Sequence, residues 1–112
     1  MMNVYDTANR LASEIKDSQE YLNYKKIKEE INNTPELKKK IEDFSKLRYD
    51  IQVSQFQDKG EDKTKLEQFQ KMYMEMIQND KIKTYFDAEL KFNVLLTDVN
   101  KIIGEAVQDV IK

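Results

Sequence analysis

Apolar residues recur along almost the whole chain at intervals of three and four, which is the spacing of one face of an α-helix. This spacing predicts five helices: two short ones at the N-terminus, two that form a helical hairpin, and a long one at the C-terminus. The apolar positions of the first four are Val4, Ala8, Leu11 and Ile15; Tyr24, Ile27 and Ile31; Leu37, Ile41, Phe44, Leu47 and Ile51; and Leu66, Phe69, Tyr73 and Met76. We therefore expect an all-α bundle or array that forms a single helical domain over residues 1–112.

Polar residues mark the points where these helices begin. Asn3 precedes the first helix, and Asp17, with Glu20 three residues on, predicts a capping box for the second. The only proline follows Thr34, and proline is well tolerated at the first position of a helix because its missing N–H group is not needed there. Asn79-Asp80 predicts the start of the last helix in the same way. Gly60 is the expected end of the third helix.

The last helix carries the longest apolar seam. Its positions alternate spacings of three and four over about four heptads, and Glu89 is the only one that is not apolar. The seam consists of Ile82, Tyr85, Glu89, Phe92, Leu96, Val99, Ile103, Ala106 and Val110. As one helix, residues 81–111 would measure about 46 Å, whereas a compact chain of this size has a diameter of about 35 Å. The end of the seam would therefore project beyond the rest of the chain.

A projecting apolar seam requires a partner, and the commonest partner is a second copy of the same chain. We expect a homodimer or a higher assembly. The residues predicted to form this self-interface are Phe92, Leu96, Val99, Ile103, Ala106 and Val110. The alternative is a bend at Gly104 that folds the tail back on the chain.

A second candidate surface lies around the predicted hairpin tip, where glutamines are frequent and one methionine departs from the apolar face. The candidate partner surface comprises Gln52, Gln55, Gln68 and Met74. Methionine side chains adapt to varied partners. Met72 and Met76 share a different face of the same helix, and there we expect them to fill the core.

The charge pattern changes the range of partners to consider. Charged residues make up 36% of the chain, and the formal net charge is −2, so we expect no direct DNA binding. Two short lysine runs are present, at Lys25, Lys26 and Lys28 and at Lys38, Lys39 and Lys40. They are interpreted first as solvated helix faces. An RNA-associated factor that contacts phosphates through these runs is the alternative function.

The chain offers little catalytic chemistry because it has neither histidine nor cysteine. The usual nucleophilic triads and zinc sites require those residues. Carboxylate pairs such as Glu29/Glu30 and Asp87/Glu89 are the remaining acid–base candidates, and on highly charged helices such pairs are usually solvated. We expect no enzymatic activity, no cofactor, no metal and no small-molecule substrate. The absence of cysteine, of a signal peptide and of a membrane span predicts a cytoplasmic protein.

Four segments together resemble the YlbF/YmcA family of small helical bacterial proteins, including its YheA-like members. They are Val4-Tyr5-Asp6-Thr7-Ala8-Asn9, Ser18-Gln19-Glu20-Tyr21, Asn33-Thr34-Pro35-Glu36-Leu37, and the last helix from Tyr85-Phe86-Asp87-Ala88-Glu89 to Asp98-Val99-Asn100-Lys101-Ile102-Ile103. The resemblance covers nearly the whole chain and rests on the order and spacing of these segments.

The resemblance implies an oligomeric all-α protein without enzymatic activity. Family members regulate competence, sporulation and biofilm formation, act in a complex with the protein YaaT, and influence RNA processing by ribonuclease Y. The implied function is therefore that of a regulatory adaptor that binds other proteins. Some members carry cysteines associated with an iron–sulfur cluster, and this chain has none, so the resemblance implies no cluster here.

Overall fold

The computed structural model describes residues 3–56 and 63–111, which form five α-helices and no strand within those ranges. The helices are α1 (Val4–Lys16), α2 (Gln19–Asn32), α3 (Pro35–Phe56), α4 (Lys63–Met76) and α5 (Asp80–Ile111). The prediction of an all-α fold with two short helices, a hairpin and a long last helix is confirmed. Gly60, expected at the end of α3, lies outside the described residues.

Side-chain caps explain why α1 and α5 begin where they do. The Asn3 side-chain oxygen accepts a hydrogen bond from the Asp6 N–H group at 2.9 Å. The Asn79 side-chain oxygen accepts from the N–H groups of Lys81 at 2.9 Å and Ile82 at 3.2 Å. Each cap satisfies backbone donors that have no partner within the helix. Both predicted starts are confirmed.

The cap of α2 differs from the predicted one. Asp17 ends α1 in a helical backbone conformation. The residue that caps α2 is Ser18, whose hydroxyl accepts from the Tyr21 N–H group at 3.2 Å and donates to the Ile15 carbonyl at 2.6 Å. Because a single hydroxyl can both donate and accept, one serine links the end of α1 to the start of α2.

The break before α3 is built around Thr34 and Pro35. Pro35 is the first residue of α3, as predicted. The Thr34 hydroxyl donates to the Glu30 carbonyl at 3.1 Å, in the last turn of α2. The Thr34 carbonyl accepts from the N–H groups of Leu37 and Lys38 at 3.0 Å. Thr34 therefore serves the end of one helix with its side chain and the start of the next with its backbone.

The chain divides into two compact units. One comprises Met1–Ile27 and Tyr85–Lys112, and the other comprises Lys28–Thr84. Helices α2 and α5 each contribute to both units. A single domain over residues 1–112 remains a prediction.

The second unit has its core in the α3–α4 hairpin and the adjoining ends of α2 and α5. Phe44 of α3 is buried, and its ring stacks on that of Phe69 of α4 with centroids 4.6 Å apart. The other buried apolar residues described in this unit are Ile31, Leu37, Met76 and Ile82. The predicted apolar faces of α3 and α4 thus pack on each other. Met76 lies in this core and Met72 is half-buried beside it, whereas Met74 is exposed.

Candidate interaction surface

Helix α5 is the longest element and continues without interruption through Gly104. Its 32 residues span about 48 Å at 1.5 Å per residue. A β-carbon added at Gly104 would meet no atom within 4 Å. The alternative in which the tail bends at Gly104 and folds back is therefore wrong.

The apolar face of α5 changes from buried to bare along its length. Ile82 is fully buried, and Tyr85 is 8% exposed. Phe92, Leu96 and Val99 follow on the same face and are half-buried. Ile103 is 51% exposed and Val110 is 79% exposed. The change occurs within one continuous seam, so chain packing accounts for the first part of the seam and leaves the last part uncovered.

Aromatic residues of α2 cover the middle of this face. The Tyr24 ring lies 5.6 Å from the Phe92 ring and 5.7 Å from the Tyr85 ring, measured between centroids. The Tyr21 ring meets Phe92 edge-on at 5.9 Å. The Tyr24 hydroxyl donates to a Glu89 carboxylate oxygen at 3.3 Å. This hydrogen bond explains why a carboxylate is tolerated within an otherwise apolar seam.

Tyr85 has the one clearly perturbed pKa among the described residues. Burial, followed by hydrogen bonding to Tyr24 and the proximity of the Glu89 carboxylate, raises the pKa of Tyr85 well above its usual value. Each of these causes disfavours the charged form of the phenol. The role of Tyr85 is therefore to pack as a neutral ring against Tyr24 of α2.

Neighbouring residues widen the bare part of α5. Ile102 is 68% exposed, and Val107 and Ile111 are exposed beside the seam. Ala106 of the predicted self-interface is exposed as well. A contiguous apolar surface of this kind on a helix marks an interaction site more often than scattered apolar residues do. We call residues 102–111 of α5 the bare segment.

The four residues of the candidate partner surface are all exposed. Gln52 and Gln55 lie one turn apart on α3. Gln68 and Met74 lie on α4, where their separation of six positions places them about 120° apart around the helix axis. These four residues therefore do not share one stripe.

Two exposed aromatic residues near Gln52 were not included in the partner surface predicted from the sequence. Tyr49 is 65% exposed and Phe56 is 93% exposed. At spacings of three and four, Tyr49, Gln52 and Phe56 form one stripe on α3. Large aromatic residues are enriched at protein interfaces. The spacing of Tyr49 and Phe56 could have revealed this stripe, because seven residues separate two aromatics outside the apolar face of α3.

The described residues hold no group of three or more carboxylates, histidines or cysteines placed to bind a metal ion. A small pocket of about 180 Å³ lies in the second unit. Its lining includes the exposed charged residues Lys40, Asp43 and Glu75 and the buried residues Met76 and Ile82. The six lysines of the two runs are exposed. Within the described ranges, no helix is long and apolar enough to cross a membrane.

Comparison with known proteins identifies related sequences over nearly the whole chain. A family model for YlbF/YmcA, described as control of the competence regulator ComK, matches residues 4–108. A UPF0342 protein of Symbiobacterium thermophilum is 38% identical over 104 residues, which cover 93% of each chain. UPF0342 proteins of other bacteria, including Bacillus licheniformis, match at similar lengths.

Solved structures show the same fold. YheA from Bacillus subtilis superposes with a TM-score of 0.69 at 25% identity, covering 97% of this chain and 99% of that one. RicA from Bacillus subtilis, solved in complex with RicF, gives a TM-score of 0.62 at 24% identity, with 97% and 96% of the two chains covered. The similarity to RicA, at this level of identity, concerns the fold.

Proposed function

This chain belongs to the YlbF/YmcA family of competence-control proteins, and on that premise we propose that it is a non-catalytic cytoplasmic adaptor. It acts by binding other proteins, including a second copy of itself. The processes it would serve are those that the family resemblance implies: competence, sporulation, biofilm formation and RNA processing by ribonuclease Y.

The observation that carries this proposal is the bare segment of α5. A helix face that is fully buried at Ile82 and largely solvent-exposed at Val110 presents apolar surface to water, and no other element of residues 3–56 and 63–111 covers it there. Removing apolar surface from water stabilises a complex by about 25 cal/mol per Å² before the costs of association. The bare segment is thus suited to binding a protein surface.

The self-interface that we propose consists of Phe92, Leu96, Val99, Ile103, Ala106 and Val110. A different surface is needed for a regulatory partner if both are bound together. We place that surface on the α3–α4 hairpin, on the stripe formed by Tyr49, Gln52 and Phe56. The predicted residues Gln55, on α3, and Gln68 and Met74, on α4, complete the proposed surface. RicA, a protein of the same fold, has been solved in complex with RicF, which supports partner binding by this kind of helical array.

The test is affinity purification of the tagged protein from its native host, with and without ribonuclease, followed by mass spectrometry. Specific proteins retained after ribonuclease would support the adaptor. The double variant Tyr49→Ala/Phe56→Ala should lose the regulatory partner, because it removes both aromatic side chains of the proposed surface. Both side chains are exposed, so we expect the fold to be kept. The variant Lys38→Ala/Lys39→Ala/Lys40→Ala is the matched control on the same helix and should retain it.

The alternative of an RNA-associated factor makes the opposite prediction. If all partners disappear after ribonuclease and the triple lysine variant also abolishes their recovery, contact with phosphates through the lysine run would replace the adaptor. RNA binding of that kind weakens steeply as salt increases because counterions are released.

A further inference from the structure

We propose that the second copy packs on α5 in the antiparallel direction, with the two-fold axis of the dimer passing at Lys101. This inference rests on the proposed self-association and specifies its geometry. In this arrangement, residues at equal distances on either side of position 101 meet across the axis. Phe92 contacts Val110 of the second copy, Leu96 contacts Ala106, and Val99 contacts Ile103.

The first argument is that this register uses the whole face. All six self-interface residues find a partner within the same set, and no polar residue enters the seam. The pairs also match in volume, because a large side chain meets a smaller one in the Phe92–Val110 and Leu96–Ala106 layers. Interfaces pack at the density of protein interiors, so such matching leaves few voids.

Neighbouring antiparallel registers are less favourable. Moving the two-fold axis by half a heptad toward the N-terminus places Ala106 opposite Glu89, whose carboxylate already accepts a hydrogen bond from Tyr24. Burying that carboxylate under an apolar side chain costs free energy because no further donor is supplied. Moving the axis by the same amount toward the C-terminus pairs Val99 with Val110 and Ile103 with Ala106, and leaves Phe92 and Leu96 unused, so less of the described apolar face is covered. The register at Lys101 avoids both problems.

The gradient of burial favours the antiparallel direction over the parallel one. Phe92 already contacts the rings of Tyr21 and Tyr24. A parallel pair would bring two half-covered Phe92 regions together and leave two small Ala106 side chains facing each other. An antiparallel pair instead places the largely exposed end at Val110 against the half-covered end at Phe92. Each copy then covers the part of the other that its own chain leaves bare.

The charges around the face are compatible with this pairing. Of the six flanking positions, only Asp109 is charged, and the others are Asn93, Leu95, Asn100, Ile102 and Val107. Asp109 of one copy falls near Leu95 of the other, far from the second Asp109. Lys101 and Glu105 lie on the outer side of the helix, where they pair with each other at 3.9 Å. The pairing therefore brings no like charges together, and like charges facing each other would weaken the interface.

Single-cysteine variants test the geometry directly because the natural chain contains no cysteine. In the proposed dimer, the two copies of residue 102 are separated by about 3 Å along the helix axis, and the two copies of residue 110 by about 27 Å. Only the first pair can approach disulfide distance, which requires Cα atoms within about 7 Å. Ile102 and Val110 are 68% and 79% exposed, so neither substitution disturbs the core.

The experiment oxidises the full-length variants Ile102→Cys and Val110→Cys at equal concentration and measures the covalent dimer on a non-reducing gel. We expect at least about a tenfold excess of dimer for Ile102→Cys, given the distance limit for disulfides. Equal crosslinking of both variants, or stronger crosslinking of Val110→Cys, would overturn the antiparallel register. A chain that sediments as a monomer, or a dimer in which neither variant crosslinks, would overturn it as well.

Failure of this geometry can be told apart from failure of the proposed function. The crosslinking experiment uses the purified protein alone, whereas the adaptor is tested by the proteins recovered from the host. Recovery of a ribonuclease-resistant partner by a chain that does not crosslink at position 102 would leave the adaptor in place and remove the antiparallel dimer.

Discussion

The substitution Ile103→Glu separates the stability of the fold from the stability of the assembly. Ile103 is 51% exposed in the single chain, so about half of the 1.5–3 kcal/mol for burying an isoleucine is left to be gained at an interface. The burial free energy lost by the substitution is thus about 1 kcal/mol per copy. Because Ile103 occurs twice in a two-fold dimer, the loss per dimer is about 2 kcal/mol. A carboxylate placed against Val99 of the second copy adds a desolvation cost of about 1 kcal/mol per copy. The total is about 4 kcal/mol, or about a thousandfold in the dissociation constant.

The assay is sedimentation equilibrium over a range of concentrations, with urea unfolding of the dilute protein as the measure of the fold. We expect the Ile103→Glu dimer to dissociate while the unfolding free energy of the dilute chain changes by about 0.5 kcal/mol or less, as for other exposed substitutions. Leu90→Glu is the matched control, since Leu90 lies on the opposite side of α5 and is 64% exposed. An unchanged dissociation constant for Ile103→Glu would refute the assignment of the interface to this face.

Three further predictions concern the fold. Ile82→Ala should lower the unfolding free energy by about 2–5 kcal/mol in urea titrations, because Ile82 is fully buried, whereas Ile102→Ala should leave dilute protein within about 0.5 kcal/mol. Asn79→Ala should cost about 1 kcal/mol in the same assay, because two backbone N–H groups of α5 lose their acceptor. The raised pKa of Tyr85 should make the protein less stable as pH rises above about 10, because the unfolded phenol ionises there while the folded one stays neutral; Tyr85→Phe should flatten this pH dependence.

Helix positions could be predicted from the sequence because they depend on local spacing and caps. The restart at Pro35 and the start of α5 after Asn79 both follow from residues within one turn of the break. The cap of α2 was predicted at Asp17 and lies at Ser18. Asp17 and Ser18 are both able to cap a helix. Because α1 ends at Asp17, the next residue, Ser18, caps α2, and the sequence pattern alone does not show where α1 ends.

The candidate surfaces were less accessible from the sequence. Periodicity identifies the apolar face of α5 but does not distinguish its covered part from its bare part, because Tyr85 and Val110 look equivalent in the pattern. The distinction arises from the rings of Tyr21 and Tyr24, which are distant in sequence. The exposed stripe of Tyr49 and Phe56 was missed because aromatic residues are first interpreted as core, although the spacing of these two places both outside the apolar face of α3.

A single helix that is covered at one end and bare at the other can separate folding from assembly. Ile82, Tyr85 and Ala88 belong to buried cores, so changes there act on the folded state of each chain. Changes beyond Val99 act on surface that the single chain already exposes, so they can alter the strength or the choice of partner at little cost to the fold. Partner specificity depends on differences in affinity that such substitutions readily produce. Because the bare segment is apolar with few flanking charges, the self-association that we propose depends on how well the apolar side chains of two copies fit together, so substitutions there change the dissociation constant and leave the fold in place.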